Sequence, residues 1–204
     1  MNDLPIGRGR MSEGYRREAK RFKIITDGLK TEEGYFVRLN ELSFDTVETV
    51  TKKGFSLDEM LEEAKKIKVF GADYDEVCIV LDIDDRLKGK RSKRNLVSFL
   101  GDAENAGVPV YLSNESFEVW LLAHKMIVPK RAWKREEAMK LAISSGLLDG
   151  ERHKNVVFEE INSNSVRRAL IENDRLRKVY GNNLLKSKPM TDVDKIVRKI
   201  ELLD

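Results

Sequence analysis

Three carboxylates close an apolar run in this chain: Val77-Cys78-Ile79-Val80-Leu81-Asp82-Ile83-Asp84-Asp85. The β-branched stretch reads as a buried parallel strand whose C-terminal end opens into a site. Side chains at i and i+2 of an extended segment point the same way, so Asp82 and Asp84 can converge on one hard cation. A second acidic loop, Asp27-Gly28-Leu29-Lys30-Thr31-Glu32, follows another strand-like run, Phe22 to Thr26. In a parallel sheet both strand ends share one edge, where open α/β sheets hold their ligands. Carboxylates gathered there repel one another unless a divalent cation neutralises them. Mg²⁺ takes oxygen ligands and keeps several waters, so two or three carboxylates suffice. Such a metal can activate water and stabilise charge on a phosphoryl group. The structural alternative is that Asp82 and Asp84 merely end a strand and pair with the bases that follow; a lone D-x-D is common.

Those bases form a run of their own. Six of the nine residues from 86 to 94 are cationic: Arg86, Lys88, Lys90, Arg91, Lys93 and Arg94. A charge run is commonly a solvated loop entering a helix. Next to the acids it can also hold a phosphate backbone without reading its sequence, and such binding weakens with salt. Ser113 and Asn114 end a further strand-like segment and fall on the same edge as the acids. Glu118 lies in the apolar helix that follows, either as a cap or ion-pair partner or as a group that orients a metal-bound water or a ligand. Phe117, Trp120 and Leu121 have core spacing. His124 stands alone and reads as a surface or internally satisfied histidine. No Walker-spaced glycine loop exists, so ATP hydrolysis by this chain is not expected, and no serine or cysteine triad is suggested.

A scaffold must bring these positions together. Thr46 to Thr51 alternates as a strand. Ser56 with Glu59 forms a capping box before a helix from Leu57 to about Val69. Thr31 is a candidate cap for a helix through Tyr35, Phe36 and Leu39. A helix from Ser92 to Ala106 ends at Gly107, a strand spans Val108 to Leu112, and a helix spans Ser116 to Met126. Strand and helix alternate, which predicts an α/β fold: a mainly parallel sheet with helices on both faces. Beyond Pro129 the periodicity is helical: Arg131 to Ser145, Asn162 to Tyr180 and Thr191 to Leu203. The expected organisation is a flexible or docking arm (1–20), an α/β core (21–130) and a helical C-terminal extension packed on it (131–204).

Composition bounds the remaining classes. Of 204 residues, 41% are hydrophobic and 36% charged, with a net charge of +3. Any attraction to nucleic acid must therefore come from a local patch. Cys78 is the sole cysteine, so no disulfide forms within one chain, and an intracellular setting is favoured. The first 21 residues lack the apolar core of a signal peptide, and no window approaches the roughly 18–20 apolar residues of a membrane helix. The expected location is the cytoplasm, with no membrane partner.

Four segments together resemble the RloB-like family, a group with a Toprim-type fold. Asp27-Gly28-Leu29-Lys30-Thr31-Glu32-Glu33-Gly34-Tyr35-Phe36 resembles its E-G-x-x-T-E-x-x-Y-F signature. Val80-Leu81-Asp82-Ile83-Asp84-Asp85 is similar to its strand-borne D-x-D-D. The segment Ser113-Asn114-Glu115-Ser116-Phe117-Glu118-Val119-Trp120-Leu121-Leu122-Ala123-His124 resembles S-N-P-x-F-E-x-W-L-L-x-H. Lys188-Pro189-Met190-Thr191-Asp192-Val193 resembles N-P-x-T-x-V. The matches occur in order and span most of the chain. The resemblance implies a Toprim-like core as in topoisomerases, primases and the overcoming-lysogenization-defect nucleases, cleaving phosphodiesters with Mg²⁺ or Mn²⁺. It implies that Asp27 is a metal ligand or general acid/base, that Asp82 and Asp84 bind metal, and that Glu32 is the second acid of the first loop. It also implies an ABC-type ATPase partner in a phage-defence or restriction-linked system. Ser113, Asn114, Glu118 and His124 match family positions without an assigned role. The chain departs from the pattern at Asp27, where the family has Glu, and at Glu115, where it has Pro.

The expected function is a metal-dependent nuclease acting on RNA or DNA, with Asp27, Glu32, Asp82, Asp84 and Glu118 as its acids and the 86–94 cations on the nucleic acid. Two alternatives stand beside it. One is a haloacid-dehalogenase-like phosphatase, which also uses a strand-end D-x-D, though normally after the first strand. The other is a non-enzymatic binding or scaffold subunit whose C-terminal helices dock the ATPase or a second copy of the chain.

Overall fold

The computed structural model describes residues 18–203 except 72, 84–89, 132–133, 151–153, 182–184 and 186–188; of 90, 92 and 93 it describes the backbone. Among the described residues, five strands form one sheet in the order β2-β1-β3-β4-β5. These are β1 (Arg21–Thr26), β2 (Thr46–Thr51), β3 (Glu76–Asp82), β4 (Val110–Asn114) and β5 (Met190–Thr191). The first four pair in parallel, as their alternation with helices requires, and β5 joins antiparallel to β4. β3 is the central strand. Val77 to Asp82 are all buried, which is why its sequence is a continuous apolar run instead of an alternating one. β2 lies at an edge and buries Val47 alone, so threonines and a glutamate suffice elsewhere along it.

Helices α1 (Thr31–Glu41), α2 (Leu57–Phe70) and α3 (Lys90–Asn105) make the parallel crossovers. Right-handed crossovers place α1 on one face of the sheet and α2 and α3 on the other. The contacts agree: α2 packs on β3 and α3, while the α1 rings Tyr35 and Phe36 meet Phe117 just before α4 (Glu118–Lys125), 5.4 and 6.0 Å between centroids. The Ser56–Glu59 capping box opens α2 as expected. α1 differs from expectation. Its N-cap is Lys30, and Thr31 is already helical, its hydroxyl donating instead to the Lys154 carbonyl at 3.1 Å.

β4 begins two residues later than the expected 108–112. Gly107, at φ +63°, and Val108 turn their N–H groups back to Glu104 and Ala103 and finish α3. Pro109 has no N–H to give, so the ladder with β3 starts at Val110.

The C-terminal part contains α5 (Arg135–Ser144), a short 3-10 turn (Phe158–Glu160), α6 (Ser163–Tyr180), β5 and α7 (Val193–Val197). The continuous helix expected over Thr191–Leu203 is not formed. Thr191 belongs to β5, and its Oγ1 accepts the Val193 N–H at 3.1 Å, leaving only five residues of α7 before a non-helical tail. α6 lies on α4 and reaches β5. Asn173 Nδ2 donates to the Thr191 carbonyl at 3.0 Å, and Arg177 bridges Asp192 and Asp194. The post-130 segment thus supplies a strand of the sheet as well as its helical cover. Among the described residues, no helix is long and apolar enough to cross a membrane.

Candidate active site

β1 and β3 are neighbours whose chains leave in opposite directions, β1 toward β2 and β3 toward β4. That reversal opens a crevice beyond their carboxyl ends, the place where open α/β sheets bind ligands. Thr26 is in register with Val80, so Asp27, just past β1, and Asp82, closing β3, reach the same rim. Glu32 comes from the first turn of α1, and Glu118 is the first residue of α4. These four acids line one cavity of about 330 Å³, together with Gly28, Leu29, Lys30, Thr31, Arg135 and Lys154.

The acids are deeply set. Glu118 is 3% exposed, Asp82 5% and Glu32 8%, and Asp27 is half-buried. Glu118 Oε2 has no hydrogen-bond partner among the described residues. Burial pushes Glu32 up to about 7, with the charges of Glu118 and Asp27 adding to the rise, against a backbone hydrogen bond and Arg135. Asp82 is raised well above the carboxylate range, first by burial and then by the charges of Glu32 and Glu118, with Arg135 opposing. Glu32 and Asp82 are thus both pushed toward the protonated form, and added positive charge would favour their ionisation.

Gly28 makes the crowding possible. A Cβ there would stand 1.7 Å from Glu32 Oε2, so the missing side chain is the space the Glu32 carboxylate occupies.

The donor set is all oxygen and suits a hard divalent cation. Among the described residues, no three His, Cys, Asp or Glu side chains are drawn close enough to hold an ion directly.

The site therefore gathers Asp27, Glu32, Asp82 and Glu118. Asp84, Arg86 and Lys88 lie outside the described residues, as do the side chains of Lys90 and Lys93. Arg91 and Arg94 are exposed in the first turns of α3, so this part of the basic run is helix. Ser113 is level with Asp82 across the β3–β4 pair, but its hydroxyl bonds Thr191 Oγ1 at 2.9 Å. Asn114 is buried beside it, and its peptide bond to Glu115 is cis. His124 is an internally satisfied histidine. It is 1% exposed, its Nδ1 lies 2.9 Å from the Trp120 carbonyl, and its Nε2 lies 3.3 Å from the Tyr35 hydroxyl. Burial draws it down to about 4, so it is neutral at physiological pH, donating from Nδ1 and accepting at Nε2.

Sequence reasoning missed Arg135 and Lys154. They sit in the C-terminal part, more than fifty residues beyond the strand-end acids. No spacing signal marks them, and only tertiary packing brings them to the cavity.

A family model described as RloB-like protein matches residues 22–200. No curated protein and no solved structure gives a significant match. Apart from Arg21 at the start of β1, the matched span contains the strands described above and the residues that line the acidic cavity. By that match, the chain belongs to the RloB-like protein family.

Proposed function

We propose that this chain is a nuclease that hydrolyses phosphodiester bonds in RNA or DNA with Mg²⁺ or Mn²⁺. The observation that carries the reading is the convergence of Asp27, Glu32, Asp82 and Glu118, from separate elements, on one cavity at the switch point of a parallel sheet. Asp27 and Asp82, with Asp84 by family resemblance, would hold the cation. When bound there, it supplies Lewis acidity toward a phosphoryl oxygen and a water more readily deprotonated than bulk water. Glu32 is placed to take or return a proton, and Glu118, with a bare Oε2, to orient a water or a substrate hydroxyl. Arg91 and Arg94 on the exposed start of α3 would steady the nucleic-acid backbone.

The family likeness extends the proposal to a phage-defence or restriction-linked role with an ABC-type ATPase partner, since the chain has no Walker motif of its own. The phosphatase alternative is weakened because Asp82 closes β3 and shares its cavity with an acid after β1. A non-enzymatic binding subunit remains the second reading, favoured by the looseness of the acid ring among the described residues.

Incubating the purified chain with Mn²⁺ and a panel of single- and double-stranded RNA and DNA, with and without the ATPase, tests this reading. Cleavage is expected, falling at least about 100-fold in Asp82→Asn. An Asp82→Asn protein that cleaves as fast as the wild type would remove this site. Absence of Mn²⁺ binding by calorimetry, with a stable ATPase complex, would select the scaffold reading.

A further inference from the structure

The cavity has a cationic side as well as an acidic one, and the two come from different parts of the chain. Lys154 lies in the loop between α5 and the 3-10 turn, and Arg135 is the first residue of α5. Their backbone supports differ. Arg135 rides on a regular helix. Lys154 has φ +53°, a left-handed conformation that bulky residues rarely adopt. The surroundings hold it there. The Lys154 N–H donates to the Gly150 carbonyl at 3.0 Å, and its carbonyl accepts the Thr31 hydroxyl at 3.1 Å. Next to it, Asn155 is doubly bonded to Asp149, at 2.9 and 2.8 Å. Glycine or asparagine would make this turn with less strain. A lysine in that conformation makes sense if its ammonium is used.

Two further facts point to a ligand. Among the described residues, no carboxylate forms an ion pair with Lys154, although four acids share its cavity. Glu118, itself almost wholly buried, lines the same cavity and has one oxygen without a hydrogen bond among the described residues. Lys154 thus brings a cation with no described carboxylate partner to a space of about 330 Å³ that four acids also line. A ligand that is anionic at one end and coordinated to a cation at the other fits such a mixed lining, and a phosphoryl group with a divalent ion has that character.

We propose that Lys154 and Arg135 form the phosphoryl-anion subsite of this cavity, and that Thr31 is a positioning residue that fixes the Lys154 backbone. The inference deepens the nuclease reading by naming which groups hold the substrate phosphate. Pyrophosphate and a strand of nucleic acid both present that chemistry, and the test separates them.

Binding of inorganic pyrophosphate by calorimetry, and of a fluorescein-labelled single-stranded oligonucleotide by anisotropy, would be measured in Ca²⁺ for the full chain. Wild type, Lys154→Gln, Lys154→Arg, Lys154→Gly, Arg135→Gln and Thr31→Val are compared, with Mn²⁺ affinity and melting temperature recorded for each. Lys154→Gly and Lys154→Gln should weaken anion binding about tenfold or more, and Lys154→Arg should stay within about threefold of wild type. Lys154→Gly should melt no lower than wild type, since the left-handed turn is relaxed, so its loss of binding cannot be misfolding. Arg135→Gln should weaken anion binding, and Thr31→Val should do so without loss of the Mn²⁺ site. Oligonucleotide binding without pyrophosphate binding would assign the subsite to a nucleic-acid strand, and the converse to a free phosphate compound. Unchanged anion binding in Lys154→Gly, or no anion binding by the wild type, overturns the proposal whatever the cleavage assay gives. Lys154-dependent anion binding in a protein that never cleaves nucleic acid keeps the subsite and removes the nuclease reading.

Discussion

At Gly28 a single hydrogen decides whether the cavity can hold its acids. The Glu32 carboxylate fills the volume a β-carbon would need, with Oε2 1.7 Å from the ideal Cβ position. Gly28→Ala should therefore expel the Glu32 carboxylate while leaving α1 in place. The expected result is a loss of divalent-cation affinity of about tenfold with little change in the circular dichroism spectrum, and calorimetry with Mn²⁺ checks it. Normal affinity would mean that Glu32 takes no part in holding the ion. The strand-end acids are legible in the sequence because burying a charge is costly: a core strand can run into carboxylates only where water, a counter-charge or a ligand meets them. Glu118 is legible only as a helix residue of open role, and its bare buried oxygen appears once α4 is docked. Lys154 is not legible, because nothing in its own neighbourhood of sequence tells of Thr31, 123 positions away.

Elements are legible wherever the period is long enough to count. The four parallel strands and the helices between them follow from alternation of apolar runs and caps. β5 escapes because two residues, Met190 and Thr191, carry no period at all. Its strand character comes from outside, through the Ser113–Thr191 hydroxyl pair, the Asn173 amide and the Arg177 clamp. Arg177 is the keystone. It meets Asp194 at 2.5 Å and Asp192 at 3.0 Å, and the Asp194 side chain is 3% exposed. Removing the guanidinium leaves a carboxylate buried, with the more distant Arg198, at 3.5 Å, as its remaining cation among the described residues. Arg177→Met should lower stability by about 3–5 kcal/mol. Urea unfolding checks the value, and a change below about 1 kcal/mol would show that β5 stays docked without the clamp.

For the molecule as a whole, the acidic cavity sets a dependence on pH. The Glu32 carboxyl is raised from 4.5 to about 7, so the folded state binds a proton that the unfolded state has already released. Stability from this group is fully present below pH 4.5 and is lost as pH rises through 7. The loss is on the order of 3 kcal/mol, and Asp82, shifted the same way, adds to it. The metal-free protein should therefore melt at a lower temperature at pH 8 than at pH 5. Glu32→Gln should flatten that difference, and saturating Mn²⁺ should reverse it. Calorimetric melts across pH 5 to 8 measure all three. A metal-free melting temperature that climbs over this range would contradict the burial of the acids. Glu48, held down to about 2 by Lys23, Tyr74 and Arg21, acts only in acid and does not enter this window.

The order in which the walls of the cavity appear along the chain has a consequence during synthesis. Ribosomes release the N-terminal part first, and it begins folding before the rest exists. Asp27, Glu32, Asp82 and Glu118 all emerge before Arg135, Lys154 and the strand at 190–191 that completes the sheet. A nascent polypeptide thus displays acids without the cations proposed to grip a phosphate. Under the nuclease reading proposed above, translation would finish the phosphate side of the cavity only after its acids have been made.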